Sequence, residues 1–330
     1  MDAVVKGMAI YSVTHNADLD GIASAAMLVR RFGIPLSHVS FVGHGNESAA
    51  RVYRLAASAQ RGDVLIVTDL GLNKGAVAAY ADAVKELKRR DAHIIWIDHH
   101  HWNPDALAAV GTNCDLFVGG ENTMFCAAEL VYKLLCAGDN VSARLARITH
   151  FADFNLKTRR YGAALRSIAY AITYANFSRD NSAALLRHIL KDLADGALMT
   201  TRIARYDRLY RRKAERNIAA LINSTQVLKC GVYRIGIGFG RMLQSTAACA
   251  AMTERFGLDI AVFVDTQKAA AKLRSVKGVS ALALASEMGG GGHPQACGFQ
   301  LDAGRFNSFD RNGRRRCVAV LADAASRVYA

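Results

Sequence analysis

Three short apolar runs, Met8 to Thr14, Val64 to Thr68 and Ile94 to Ile97, each close on acidic or imidazole side chains and are joined by helical patterns. Such alternation describes βαβ units, whose parallel strands are buried on both faces and read as near-continuous hydrophobic segments. Parallel strands present their carboxyl ends along one edge, and ligands bind outside that edge in open α/β sheets. The expectation is an α/β fold in which the residues closing the three runs converge.

Those residues are of one chemical kind. The first run leads into His15-Asn16-Ala17-Asp18-Leu19-Asp20-Gly21, the second into Asp69-Leu70-Gly71, and the third into Asp98-His99-His100-His101. Histidine is the commonest transition-metal ligand, and carboxylates beside it suit a hard or borderline divalent ion. Each cluster alone has a plainer reading: Asp-x-Asp-Gly suits a turn or a helix cap, and three histidines suit a polar loop. All three at the ends of successive strands favour a metal site. Helices are expected over 22–32, 48–59 and 74–89, with His44 in the loop before the second. Another is expected from Met124 to Cys136, with Asn122 or Thr123 as its N-cap. A later helix ends near His150-Phe151-Ala152-Asp153-Phe154-Asn155. A carboxylate between aromatic residues is costly without a cation or hydrogen-bond donors, so Asp153 should have one or the other.

With 330 residues, 52% hydrophobic and 21% charged, the chain can build two packed cores. It has no uncharged apolar run of the ~18 residues that suggest a membrane span, and its first residues lack a signal-peptide profile. A cytoplasmic protein with no membrane partner is expected. The seven cysteines are scattered without a Cys-x-x-Cys pair, which argues against a disulfide framework and a zinc knuckle. The net charge of +14 favours a polyanionic partner. Between Phe151 and Cys230, fifteen Lys or Arg stand against six Asp or Glu, so this segment supplies most of the excess. Its helical stretch from Thr200 carries Arg202, Arg205, Arg208, Arg211, Arg212, Lys213 and Arg216 among Ile203, Tyr206, Leu209 and Tyr210. It reads either as a phosphate rail whose tyrosines stack on bases, or as a solvated face whose apolar residues pack.

Beyond it, Val232 to Phe239, Asp259 to Val264 and Ala269 to Val276 read as strands, with a helix from Leu243 to Phe256 after the first. Gly236-Ile237-Gly238-Phe239-Gly240 lacks the third glycine and ribose-binding acid of a dinucleotide fingerprint. Gly289-Gly290-Gly291-Gly292-His293-Pro294-Gln295-Ala296-Cys297-Gly298-Phe299 is more informative, because consecutive glycines let backbone amides approach a phosphate and His293 adds a donor.

His15, Asp18 and Asp20, then Asp69, then Asp98-His99-His100, then Asp153 resemble the four motifs of the DHH phosphoesterases, which include RecJ exonucleases, nanoRNases and family II pyrophosphatases. The stretch from Thr123 to Tyr132 resembles the helix start before their fourth motif, and the glycine run resembles that of the DHH-associated C-terminal domain. The three-residue step from His15 to Asp18 departs from the family's spacing. The resemblance implies two divalent cations, Mn2+ first with Mg2+ or Co2+ as alternatives. His15 and Asp18 would hold one, Asp20, His99 and Asp153 the other, and Asp69 both. It further implies that His100 faces the scissile phosphate, that Asp98 orients its neighbours, and that Arg274, His293 and Gly290, Gly291 and Gly292 bind substrate.

The resulting expectation is a parallel-sheet metal-binding catalytic domain over 1–195, a basic linker helix over 196–228, and a smaller mixed α/β substrate-binding domain over 229–330. Its activity would be two-metal hydrolysis of short single-stranded oligonucleotides or related small nucleotides to mononucleotides through metal-activated water. The alternatives are a RecJ-like single-strand exonuclease, a cyclic or linear dinucleotide or phosphoadenosine-phosphate hydrolase, and a non-catalytic nucleotide- or RNA-binding protein. The expected partners are the nucleotide substrate, a longer single-stranded nucleic acid, and a second copy in a homodimer.

Overall fold

In the computed structural model, which describes residues 8–43, 46–72, 74–119, 124–154, 156–178, 181–302 and 308–329, the apolar runs become the centre of a parallel sheet. Its strands are β1 (Ile10–His15), β2 (Val39–Val42), β3 (Val64–Thr68), β4 (His93–Ile97) and β5 (Leu116–Val118), in the spatial order β2-β1-β3-β4-β5. Every pairing is parallel, and the register aligns Phe41, Thr14, Thr68, Ile97 and Val118 in one row near the carboxyl edge. The order reverses between β1 and β3, a topological switch point that opens a crevice. His15 and Asp69 close these two strands.

Side chains on a strand alternate between faces, and the two cores of this unit follow that alternation. Ile66, Ile95 and Ile97 enter one core with α1 (Leu19–Phe32), while Leu65, Val67, Ile94 and Trp96 enter the other with α2 (Asn46–Ser58) and α3 (Val77–Arg89). A short α4 (Pro104–Ala109) joins the second core. The first is completed by α5 (Ala127–Leu135), α6 (Asn140–Asp153), α7 (Gly162–Asn176) and α8 (Ser182–Ala194). The short strand β2 lies where only a loop and His44 were anticipated; four residues are too few to show a periodicity. His44, and the cap expected from Asn122 or Thr123, lie outside the described residues. The helix expected from Met124 begins instead at Ala127, with Cys126 as its N-cap.

The chain divides into two compact units, 1–208 and 209–330. The division falls inside α9 (Thr201–Ser224). Ile203, Tyr206, Tyr210, Ala214 and Leu221 form the buried stripe of this helix, whereas Arg205, Arg208, Arg212 and Arg216 are exposed at three- and four-residue steps. The tyrosines are core residues and not a base-stacking platform: Tyr206 is stacked on Tyr174, and the Tyr210 hydroxyl accepts from the Gln244 N–H.

The second unit holds a mixed sheet of β6 (Gln226–Cys230), β7 (Tyr233–Gly240), β8 (Ile260–Asp265), β9 (Ala270–Ser275), β10 (Gly291–His293) and β11 (Ala296–Gln300). Their order is β10-β11-β9-β8-β7-β6, with only β7 and β8 parallel. Its helices are α10 (Ser245–Phe256), which follows β7, then α11 (Leu282–Glu287) and α12 (Arg311–Tyr329). All seven cysteines are free, and six are buried. Among the described residues no helix is long and apolar enough to cross a membrane.

Candidate metal centre

Four segments bring their polar ends to the carboxyl edge of the first sheet. After β1 the chain enters α1 with Asp18 as N-cap, its Oδ1 accepting from the Asp20 N–H at 3.1 Å. The cap and the acidic cluster are thus the same residues. Asp69 follows β3 with φ 54, in the left-handed region that Asp tolerates better than most residues. This turn directs its carboxylate inward, where Oδ2 lies 3.6 Å from His15 Nδ1 and Oδ1 lies 3.7 Å from His99 Nε2. His99 Nε2 is also 3.6 Å from Asp20 Oδ2, and its Nδ1 is 3.9 Å from Asp153 Oδ2, at the end of α6. Asp18 Oδ2 approaches His15 Nδ1 at 3.9 Å.

These contacts group into His15, Asp18 and Asp69, into Asp20, His99 and Asp153, and into Asp69, His99 and His100, each with donor atoms within 4.8 Å of one another. Burial, and then the charges of Asp69, Asp153 and Asp18, hold the Asp20 carboxyl well above the usual carboxylate range. Asp69 is raised in the same way by burial and by Asp18, Asp98 and Asp153, and its Oδ2 is buried without a hydrogen-bond donor. Asp153 is also raised, chiefly by burial. His99 is lowered by burial and by its neighbour His100, which leaves a neutral imidazole suited to ligation. Carboxylates crowded together, with the buried Asp69 Oδ2 left without a donor, beside neutral imidazole, fit divalent cations: the positive charge would offset both their desolvation and their mutual repulsion.

Asp98 and His100 form a separate pair at the same edge. Asp98 is buried; its Oδ1 lies 2.8 Å from His100 Nδ1 and its Oδ2 accepts from the Trp102 indole N–H at 2.8 Å. Burial pushes the Asp98 carboxyl upward, and the hydrogen bonds of His100 and Trp102 more than reverse it, so that it lies below its ordinary value. For His100, burial acts downward and the bond to Asp98, with the charges of Asp98, Asp20 and Asp18, raises the imidazole overall. His101 is exposed and lies outside the three donor groups.

In the second unit, His293 on β10 pairs with Ala296 on β11, which pairs with Arg274 on β9. The three stand in one row, so His293 and Arg274 share a face of the sheet. A cavity of about 550 Å3 lies beside His293, lined also by Val279, Ser280, Pro294 and Gln295. The glycine run forms a hairpin with β11. A Cβ at Gly290 would stand 2.2 Å from the Gly298 carbonyl oxygen, and one at Gly292 2.8 Å from that of Ala296. These two glycines are therefore required by backbone packing, while Gly291 borders open space.

The chain matches the DHH family N-terminal domain over residues 9–156 and the DHHA1 domain over residues 240–313. It belongs to the DHH family of metal-dependent phosphoesterases. No curated protein matches it in sequence. Among solved structures, RecJ of Thermus thermophilus in complex with Mn2+ is similar at TM-score 0.58 and 16% identity, over 95% of this chain and 52% of the RecJ chain. An exopolyphosphatase-related protein from Bacteroides fragilis is similar at TM-score 0.52 and 14% identity, over 97% and 93%. A pGpG-specific phosphodiesterase, PggH of Vibrio cholerae, is similar at TM-score 0.50 and 13% identity, over 96% and 99%. At these identities the likeness is one of fold.

The DHH domain also uses groups that its motifs do not announce. The Asp20 carboxylate is gripped by the first amides of α5, Ala127 N–H at 2.9 Å and Ala128 N–H at 2.7 Å, which have no partner within the helix. Cys126 lies beside Asp20, and burial together with that charge drives its thiol far upward, so that it offers no thiolate. Glu129 accepts from the Cys126 N–H at 3.1 Å and lies 2.8 Å from His150 Nδ1, linking the start of α5 to the helix that carries Asp153. Glu129 was not singled out in the sequence, where the cap was expected at Asn122 or Thr123, and backbone amides leave no mark in sequence.

Proposed function

We propose that the DHH domain is a two-metal phosphodiesterase that cleaves short single-stranded oligonucleotides or related small nucleotides to mononucleotides. The observation that carries this reading is the pair of donor groups, His15 with Asp18 and Asp20 with His99 and Asp153, on either side of Asp69. Asp69 would hold both cations. An oxygen-rich set with two imidazoles suits Mn2+, with Mg2+ or Co2+ as substitutes. Bound there, the cations would supply an activated water and neutralise charge on phosphate oxygens. The chain's own contribution is positional. Asp98 holds His100 by Nδ1 and favours its protonated form, which would face a phosphate oxygen. Asp20 is kept in place by the amides of α5.

The second unit would offer a substrate-binding surface made of Arg274, His293 and the open backbone at Gly291. Gly290 and Gly292 shape the hairpin that presents them. An excess of fourteen positive charges supports a polyanionic substrate, and a fold shared with a pGpG-specific phosphodiesterase is in keeping with a nucleotide phosphodiester. The test is hydrolysis in Mn2+ of a dinucleotide, a short RNA, a long single-stranded DNA, phosphoadenosine phosphate, a cyclic dinucleotide and pyrophosphate, with Asp69→Asn as control. Fastest release of mononucleotides from the shortest RNAs, lost in Asp69→Asn, is expected. Preference for another member would reassign the substrate, and turnover that survives Asp69→Asn would overturn the shared-ligand role.

A further inference from the structure

The arginine-rich start of α12 has no part in the reading above, yet it borders a cavity of about 560 Å3 in the second unit. The cavity is lined by Asn223, Gln226, Phe239, Phe309, Arg311, Arg314 and Arg315, with Ser224, Thr225 and Asp310. Arg311 and Arg315 stand one helical turn apart, with Arg314 between, so all three project on one side. Like charges at this spacing repel, and Arg311 and Arg315 have no ion-pair partner among the described residues. Asp310 is the lining's one carboxylate; its Oδ1 accepts from the Gly313 N–H at 2.7 Å.

Arg314 is already oriented. Its Nε donates to the Phe309 carbonyl oxygen at 2.8 Å and its guanidinium lies 5.6 Å from the centre of the Phe239 ring. The Nη groups are left to donate elsewhere, and a guanidinium fixed in this way suits phosphate. Phe239 and Phe309, with centroids 6.3 Å apart, supply an apolar wall, and the amides of Asn223 and Gln226 offer both donors and acceptors. A larger cavity between α2 and α3 lacks this character, because Asp82 and Glu86 line it and Glu86 is paired with Arg89.

We propose that the cavity at the start of α12 binds a nucleoside phosphate unit, the phosphate on Arg311, Arg314 and Arg315 and the base against the phenylalanines and amides. It borders β6 and β7, at the other edge of the sheet from β10 with His293, and shares no lining residue with the cavity beside His293, and so is a second site on this unit. Arg314 and Arg315 lie past residue 313, where the match to the DHHA1 domain ends. The unit is either a free mononucleotide or one residue of a nucleic acid strand, and both carry the same chemistry.

Every residue lining the cavity belongs to the second unit and every donor residue of the metal centre to the first, and the test is a binding measurement on the full chain bearing Asp69→Asn, without added metal. A labelled single strand of about 12 nucleotides is titrated by fluorescence anisotropy over a range of salt. Replacing Arg311 and Arg315 by Ala should lower the slope of log affinity against log salt by about 1.4, two phosphates at about 0.7 each. Carried from about 1 M to 0.15 M salt, that slope corresponds to roughly tenfold weaker binding. Calorimetry with adenosine monophosphate separates the sources: weakened binding of it in the variant identifies a free-nucleotide site, and weakened binding of the strand alone identifies a strand contact. The pair Arg311→Gln and Arg315→Gln, which keeps the side-chain stems, should behave as the alanine pair does. Unchanged slope and unchanged nucleotide binding in both folded variants would overturn the proposal.

Discussion

Trp102→Phe tests whether Asp98 is held as tightly as its surroundings imply. The indole N–H donates to Asp98 Oδ2 at 2.8 Å in a buried setting, and the ring packs edge-on against Trp96 and Phe117 at 5.2 and 4.8 Å. Removing a hydrogen bond to a charged group costs about 1.5–3 kcal/mol. The smaller phenyl ring leaves a void worth about 1 kcal/mol more. A loss near 3 kcal/mol, at about 2–4 °C per kcal/mol for a unit of this size, is a fall of roughly 6–12 °C in the unfolding midpoint. Asp98 has a depressed folded pKa, so its stabilising contribution is present above the ordinary value of about 4 and is lost as pH falls through the folded one. The difference between wild type and variant should therefore narrow below about pH 4. Scanning calorimetry of both proteins across pH, with kcat measured beside it, makes the comparison. A midpoint within about 2 °C of wild type at neutral pH would show that the indole is replaceable and that Asp98 is positioned by something else.

Further outcomes are expected. Asp20 and Asp69 have raised folded pKa values, so their contribution in chelator is full below about pH 4 and lost as pH rises through those values. Thermal melts should show Asp69→Asn removing part of this pH dependence and Mn2+ countering it in wild type; identical profiles for the two proteins in chelator would contradict the electrostatic reading. Gly292→Ala, at φ 128 and with its Cβ driven onto the Ala296 carbonyl, should cost about 2–3 kcal/mol in urea unfolding. Gly291→Ala should stay within about 0.5 kcal/mol while raising KM, and equal costs at the two positions would refute the distinction between packing and open backbone. Asp139 caps α6 through the Ser142 N–H and its carboxyl is held down to about 2, first by its hydrogen bond with Arg30. Asp139→Ala should lose about 1–2 kcal/mol at neutral pH, with the deficit vanishing between about pH 4 and 2 and metal affinity unchanged by calorimetry.

The apolar runs were legible because a strand buried on both faces must be apolar almost throughout, and β3 begins and ends where its pattern does. β2 was missed since four residues carry no period, and the tyrosines of α9 were open to two readings because Tyr is both amphipathic and large. The acidic clusters stood out for a simpler reason. Carboxylates at the ends of apolar segments have no use in packing, so their presence pointed to chemistry before any geometry was known. Trp102 and the amides of α5 carried no such signal, since a tryptophan is ordinary in a core and a backbone amide is present at every residue but proline.

Residue type and order therefore determined the parallel α/β domain, the presence of oxygen- and imidazole-donor residues at its strand ends, and the basic balance of the chain. These depend on local periodicity and on the cost of burying charge, both of which act along the sequence. Only the tertiary structure decided that Asp69 lies between two donor groups, that Asp20 is held by a helix more than a hundred residues away, and that two of the glycines serve a hairpin. It also decided that Arg311, Arg314 and Arg315 border one cavity with two phenylalanines. Each of these depends on which strand lies beside which and on a few ångströms of separation, and that is set by the packing of the whole domain and not by any one segment.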